Sequence, residues 1–136
     1  MKILLVEDLA VTSKPVKMLL TMEGHHVDVA EDPGEALDLI EENNYDFILM
    51  DLGLPEVRGI KNGVELSVVV REMGFDKGIV ALTAEAGSHT WQDMKKAGLN
   101  ACIEKPLMPI HYKYLNIDPQ TTCFAEEGKK LVVIKS

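Results

Sequence analysis

Cysteine is scarce in this chain of 136 residues: there are two, Cys102 and Cys123. That count excludes a disulfide scaffold, and neither residue sits in a CxxC or Cys/His spacing that would hold zinc. Two reduced thiols are the expected state. Long hydrophobic runs are also missing. The longest apolar stretches, such as Ile3–Val6 and Phe47–Met50, are far too short to span a bilayer. Met1 is followed by one lysine and then apolar residues, without the long signal region and cleavage site of a secreted precursor. The expectation is a cytoplasmic protein with no membrane insertion. Positive charge is short as well. The net charge is −8, and Lys95-Lys96 and Lys129-Lys130 are only pairs. This argues against nucleic acid as a partner, since phosphate backbones attract basic surfaces.

What remains is an ordinary soluble composition, 46% hydrophobic and 26% charged, of a size that folds as one domain without staples. Short apolar runs alternate with helical patterns. Lys2–Val6, Val27–Ala30, Asp46–Met50, Gly78–Leu82 and Ala101–Glu104 read as strands. Between them lie helical patterns over Val11–Met22, from Asp32-Pro33 through Ile40, from Asn62 or Gly63 to about Met73, and from Ser88 through Ala97. Pro15 should make the first helix start late or bend. Such alternation predicts an α/β fold, a doubly wound parallel sheet of five strands with helices on both faces and right-handed crossovers. In these sheets the functional site lies at the carboxyl ends of the strands.

The residues that follow the strands are therefore the candidates. Glu7 and Asp8 follow the first strand, Asp51 the third, Thr83 the fourth and Lys105 the fifth. Three carboxylates in one place repel unless a cation intervenes. A hard divalent ion with oxygen ligands answers that need, and a site that also takes phosphate suits magnesium. Lys105 adds a compact positive charge and Thr83 a hydroxyl. Metal, cation and a positioned nucleophile are the parts of phosphoryl transfer, and a carboxylate can be the nucleophile.

The runs ILLVED, ILMDLGLP, ALTA and EKP, in this order, make residues 1 to about 107 resemble the bacterial response-regulator receiver family of two-component and phosphorelay systems. The resemblance implies a flavodoxin-like sheet with five flanking helices. It implies Asp51 as phosphoacceptor, Asp8 as direct metal ligand, Glu7 as the acidic neighbour that reaches the metal through water, and Gly53 as a ligand through its backbone carbonyl. It further implies Thr83 and Lys105 as the hydroxyl and ammonium that meet the phosphoryl group, and a cis peptide bond between Lys105 and Pro106. Ala84 matches a small residue that leaves access to Asp51. Gly53 and Glu85 match positions that tune the lifetime of the acyl phosphate. The implied cofactor is Mg2+, for which Mn2+ could substitute. The implied donor is a histidine kinase or a histidine phosphotransfer domain, and the implied output is contact with a downstream protein target.

The chain departs from the family pattern in three places. Cys102 stands where the family has an aromatic switch residue; as a catalytic thiol it has no basic neighbour in sequence, which favours a buried small hydrophobe. The loop after Asp51 is long, with about four extra residues in Glu56–Lys61, so that either Gly59 or Gly63 could be the family's glycine. In place of a full fifth helix, Pro109 and Pro119 leave room only for about Ile110–Leu115, and Thr121–Ala125 and Lys130–Ile134 read as two strands around a turn. The expected division is a receiver domain over residues 1–107 and an atypical extension over 108–136. That extension would pack on the same sheet or pair with a partner, including a second copy of the chain. His25-His26 read as loop histidines, and Trp91, on the fourth helix, as packing, with recognition as the alternative.

The expected function is a signalling phosphoacceptor rather than an enzyme. Met1 one residue before the first strand fits a free-standing regulator and an engineered piece equally. A magnesium phosphatase of the haloacid-dehalogenase type would need a second Asp two residues after Asp51, where Gly53 stands. A phosphorylation-independent interaction module is the other alternative, kept open by Cys102 and the tail.

Overall fold

The computed structural model describes residues 1–83, 91–105, 125–126 and 131–133, with the backbone alone for Trp91 and for the last two segments. Ala84, Glu85, Ser88, Pro106, the 110–115 segment and Cys123 lie outside the described residues.

Strands and helices alternate: β1 (Lys2–Val6), α1 (Ala10–Met22), β2 (His26–Ala30), α2 (Pro33–Glu42), β3 (Phe47–Asp51), α3 (Gly63–Glu72), β4 (Gly78–Thr83), α4 (Trp91–Lys96) and β5 (Ala101–Glu104). Two short strands follow, β6 (Ala125–Glu126) and β7 (Leu131–Val133). The sheet order is β2-β1-β3-β4-β5-β7-β6. The first five strands are parallel to one another, whereas β7 is antiparallel to both β5 and β6. The order reverses at β1 and β3, which is where a doubly wound sheet opens its ligand crevice.

The unbroken apolar runs of β1, β3 and β4 are explained by burial on both faces. Ile3, Leu4, Ile48, Leu49, Met50, Ile79, Val80 and Ala81 are all wholly buried. α2 begins as its sequence dictates, with Pro33 at the first turn and the Asp32 carboxylate accepting the Glu35 N–H at 2.9 Å. Asn62 caps α3 in the same way, through the Glu65 N–H at 3.0 Å.

α1 does not start late: it begins at Ala10 and runs through Pro15. The carbonyl that loses its partner to proline belongs to Val11, which is 80% exposed, so water can satisfy it. The tail strands also differ in their bounds. The register Ala125↔Val132 and Glu126↔Leu131 places Glu126 within β6, not in the turn, and leaves residues 127–130 as the connection.

Arg71 ties two loops together at the amino-terminal end of the sheet. Its guanidinium donates to the carbonyls of Phe75, Lys77 and Gly98 and to the side-chain oxygen of Asn100, at 2.6–3.0 Å. The same Asn100 oxygen accepts the Ile79 N–H at 2.9 Å. Burial holds the Arg71 pKa below its ordinary value. Gly98 is fixed by this contact and by its φ of 92°, because a Cβ there would strike the Arg71 stem. Arg71→Met leaves these acceptors without their shared donor. It is expected to lower stability by about 2–3 kcal/mol in urea denaturation, and a loss below about 0.5 kcal/mol would contradict the clamp.

Candidate functional site at the strand ends

Parallel register sets the strand ends side by side. Val6 pairs with Met50, Asp51 with Leu82, and Thr83 with Glu104. The next residues, Glu7 beside Asp51 and Lys105 beyond Glu104, therefore meet at one edge. Backbone bonds hold them there: the Glu7 N–H donates to the Ala30 carbonyl at 2.9 Å and the Lys105 N–H to the Thr83 carbonyl at 2.8 Å.

Glu7, Asp51 and Thr83 are buried, with 1%, 6% and 6% of their surface exposed. The Lys105 ammonium donates to both Glu7 carboxylate oxygens, at 3.1 and 3.2 Å, and lies 3.4 Å from Asp51 Oδ1. The Gly53 N–H donates to the same Asp51 oxygen at 3.1 Å. Asp8 is more exposed than Glu7 and Asp51, and one carboxylate oxygen from each of the three lies within 4.8 Å of the other two. The structure thus brings together Glu7, Asp8, Asp51, Gly53, Thr83 and Lys105. Cys102 is not part of the group. It is wholly buried, and burial together with the Glu104 charge pushes its thiol up to about 12.

Burial raises the Glu7 pKa to about 7, and hydrogen bonding to Asp51 adds to the rise against the opposing pull of Lys105. Two buried carboxylates with one ammonium between them remain short of positive charge. Three carboxylate oxygens within reach of one another form a donor set that fits a hard divalent cation such as Mg2+.

The loop after Asp51 resolves the choice between two glycines. The Gly63 N–H donates to the Leu52 carbonyl at 3.1 Å, and a Cβ at Gly63 would run into the Asp51 carbonyl oxygen. Gly63 is thus the glycine that packs beneath the site. Gly59 serves a separate turn: Val57 and Ile60 exchange backbone bonds at 3.1 and 3.0 Å, with Arg58 and Gly59 both left-handed at φ 54° and 78°. Arg58 closes a fork onto Asp38 of α2, both N–O distances being 3.1 Å. Neither the Glu7–Lys105 pair nor the Arg58–Asp38 pair was read from the sequence. Nothing local signals a contact across 98 residues.

The parallel sheet, the strand-end carboxylates and the lysine define the receiver class of signalling domain. Comparison with known proteins agrees. The response regulator receiver domain profile matches residues 3–112, and the chain belongs to that family. It is 33% identical over 135 residues to the osmosensing histidine protein kinase SLN1 of Saccharomyces cerevisiae, covering 95% of this chain and 11% of that protein. It is 36% identical over 105 residues to two-component response regulator 24 of Arabidopsis thaliana, covering 76% of this chain and 73% of that one. Among solved structures, the response regulator TrrA of Thermotoga maritima, in complex with Mg(2+)-BeF, superposes with a TM-score of 0.71 at 27% identity. The match covers 83% of this chain and 93% of that one. The chain spans only 11%, 8% and 6% of three histidine kinases it matches, from yeast and Dictyostelium discoideum. No helix among the described residues is long and apolar enough to cross a membrane.

In the metal-free protein, the Glu7 carboxyl carbon is expected to titrate in NMR with a midpoint near 7. Lys105→Met removes the group that holds the midpoint down and should move it up. Because the folded form binds this proton more tightly than the unfolded form, Glu7 contributes stability below about pH 4.5 that is lost as pH rises through about 7. The stability of the wild type relative to Glu7→Gln should fall over that interval. A midpoint near 4.5, or no shift in Lys105→Met, would contradict the buried pair.

Proposed function

We propose that the chain accepts a phosphoryl group from a phosphohistidine onto Asp51. The observation that carries this reading is one buried carboxylate, Asp51, flanked by two more and faced by an ammonium at 3.4 Å. In the transfer, a P–O bond forms to the Asp51 carboxylate as the P–N bond of the donor breaks, and the departing imidazole takes a proton. Glu7, Asp8, Asp51 and the Gly53 carbonyl would hold Mg2+, with Mn2+ able to substitute. The ion, when bound, supplies charge that offsets the carboxylates and the phosphoryl oxygens. Lys105 orients the incoming group, and the Thr83 hydroxyl donates to it. Gly53 would tune the lifetime of the product. Gly53, where a phosphatase of this chemistry would keep a second Asp, makes the chain a signalling acceptor and not a hydrolase.

The donor is a histidine kinase or a histidine phosphotransfer domain, acting in the cytoplasm, and a protein target reads the result. α1 offers the contact. Val11 and Met18 are 80% and 64% exposed on the helix that leaves the site, an apolar patch of the kind that marks a protein interface. Residues 1–107 form the receiver unit and 108–136 an extension, which also offers a route to a homodimer.

Incubation with acetyl phosphate and Mg2+ should add one phosphoryl group to the intact mass, and Asp51→Asn should abolish the gain while keeping the fold. Uptake that persists in Asp51→Asn would refute the assignment. Val11→Asp should slow transfer from a phosphohistidine donor by about tenfold or more, through lost apolar contact and added charge. Uptake from acetyl phosphate should stay at the wild-type rate. Equal loss with both donors would show that α1 supports the site and not the encounter.

A further inference from the structure

In the parallel core β5 is the last strand, and its outer backbone edge would be open. Here it is taken. β7 pairs antiparallel with it, in the register Ala101↔Val133, Cys102↔Val132 and Ile103↔Leu131. Along the stretch that pairs with β7 the side chains of β5 do not reach solvent, because Ala101, Cys102 and Ile103 are wholly buried; Glu104, beyond that stretch, is partly exposed. Over the paired stretch the outer edge is therefore the part of β5 through which a change in the strand can reach another segment. Pairing of an extended segment with such an edge is a known mode of recognition, in which main-chain bonds provide the affinity.

β5 is also tied to the site. Two residues past Ile103 stands Lys105, whose ammonium is shared by Glu7 and Asp51 and whose N–H is held by the Thr83 carbonyl. A phosphoryl group on Asp51 brings about −1.5 to −2 of charge, which draws the ammonium off Glu7. Any displacement of Lys105 is passed to a strand whose other edge carries a ladder of three residue pairs. So short a ladder, with only the two-residue β6 beyond it, belongs to the least stable part of a fold, where small shifts change occupancy most.

We propose that the outer edge of β5 is the output surface of this receiver, that it takes an extended strand, and that its occupant is the chain's own Leu131–Val133, whose attachment is set by Lys105. This rests on Asp51 being the phosphoacceptor. The coupling is reciprocal: what loosens β7 also changes the affinity of the site for a phosphoryl group.

The test is hydrogen exchange on the whole chain with Mg2+ alone and with Mg2+ plus beryllofluoride, a phosphoryl mimic. Fluorine NMR reports separately whether the mimic is bound. Exchange in 131–133 and along 101–103 should change by about fivefold or more on loading, while β2, the opposite edge, stays constant. Bound mimic with unchanged exchange in β7 would overturn the proposal and leave the phosphoacceptor reading standing. No bound mimic would tell against that reading, and the proposal would fall with it. Val132→Pro removes a backbone donor from β7 and should change beryllofluoride affinity by about threefold or more in calorimetry. An unchanged affinity would also overturn the coupling.

Discussion

One ammonium serves two buried carboxylates. Lys105 lies within 3.4 Å of both Glu7 and Asp51, and the rest of the site follows from that shortage of positive charge. Burial makes the pair costly, which is why Glu7 retains its proton to about pH 7. The cost is borne because three strands end in step: β1 delivers Glu7, β3 delivers Asp51 and β5 delivers Lys105. A slip of one residue in any of them would turn its polar end residue away from the others. The wholly buried core of the sheet keeps that register.

Much of this was legible in the sequence. Four of the five parallel strands, β1, β3, β4 and β5, are short apolar runs, and the residues just beyond those runs are the ones the structure gathers. The caps of α2 and α3 could be read from Asp32-Pro33 and Asn62, since capping depends only on near neighbours. The receiver family could be read from four motifs. What could not be read depends on tertiary packing. Arg71 looks like any surface arginine until its loops close around it. Pro15 signals a helix that starts late or bends, and only the exposure of Val11 shows why the helix can start at Ala10 and run through it. The choice between Gly59 and Gly63 required the distance of each from the Asp51 backbone.

The tail shows the same limit differently. Strand preference in Leu131–Val133 is visible in the sequence, but the edge it joins is not, because strand pairing is chosen by what else lies open. Its position beside β5 links the extension to the strand that carries Lys105.

The central claim is that Asp51, crowded by carboxylates and faced by Lys105, is the group that takes the phosphoryl. The most direct measurement is borohydride reduction of the phosphorylated protein followed by peptide sequencing. Borohydride reduces an acyl phosphate on aspartate to the alcohol and leaves phosphate esters of serine and threonine alone. The account predicts homoserine at position 51 and unmodified Glu7 and Asp8. An unreduced Asp51, with the phosphoryl group on another residue, would contradict it.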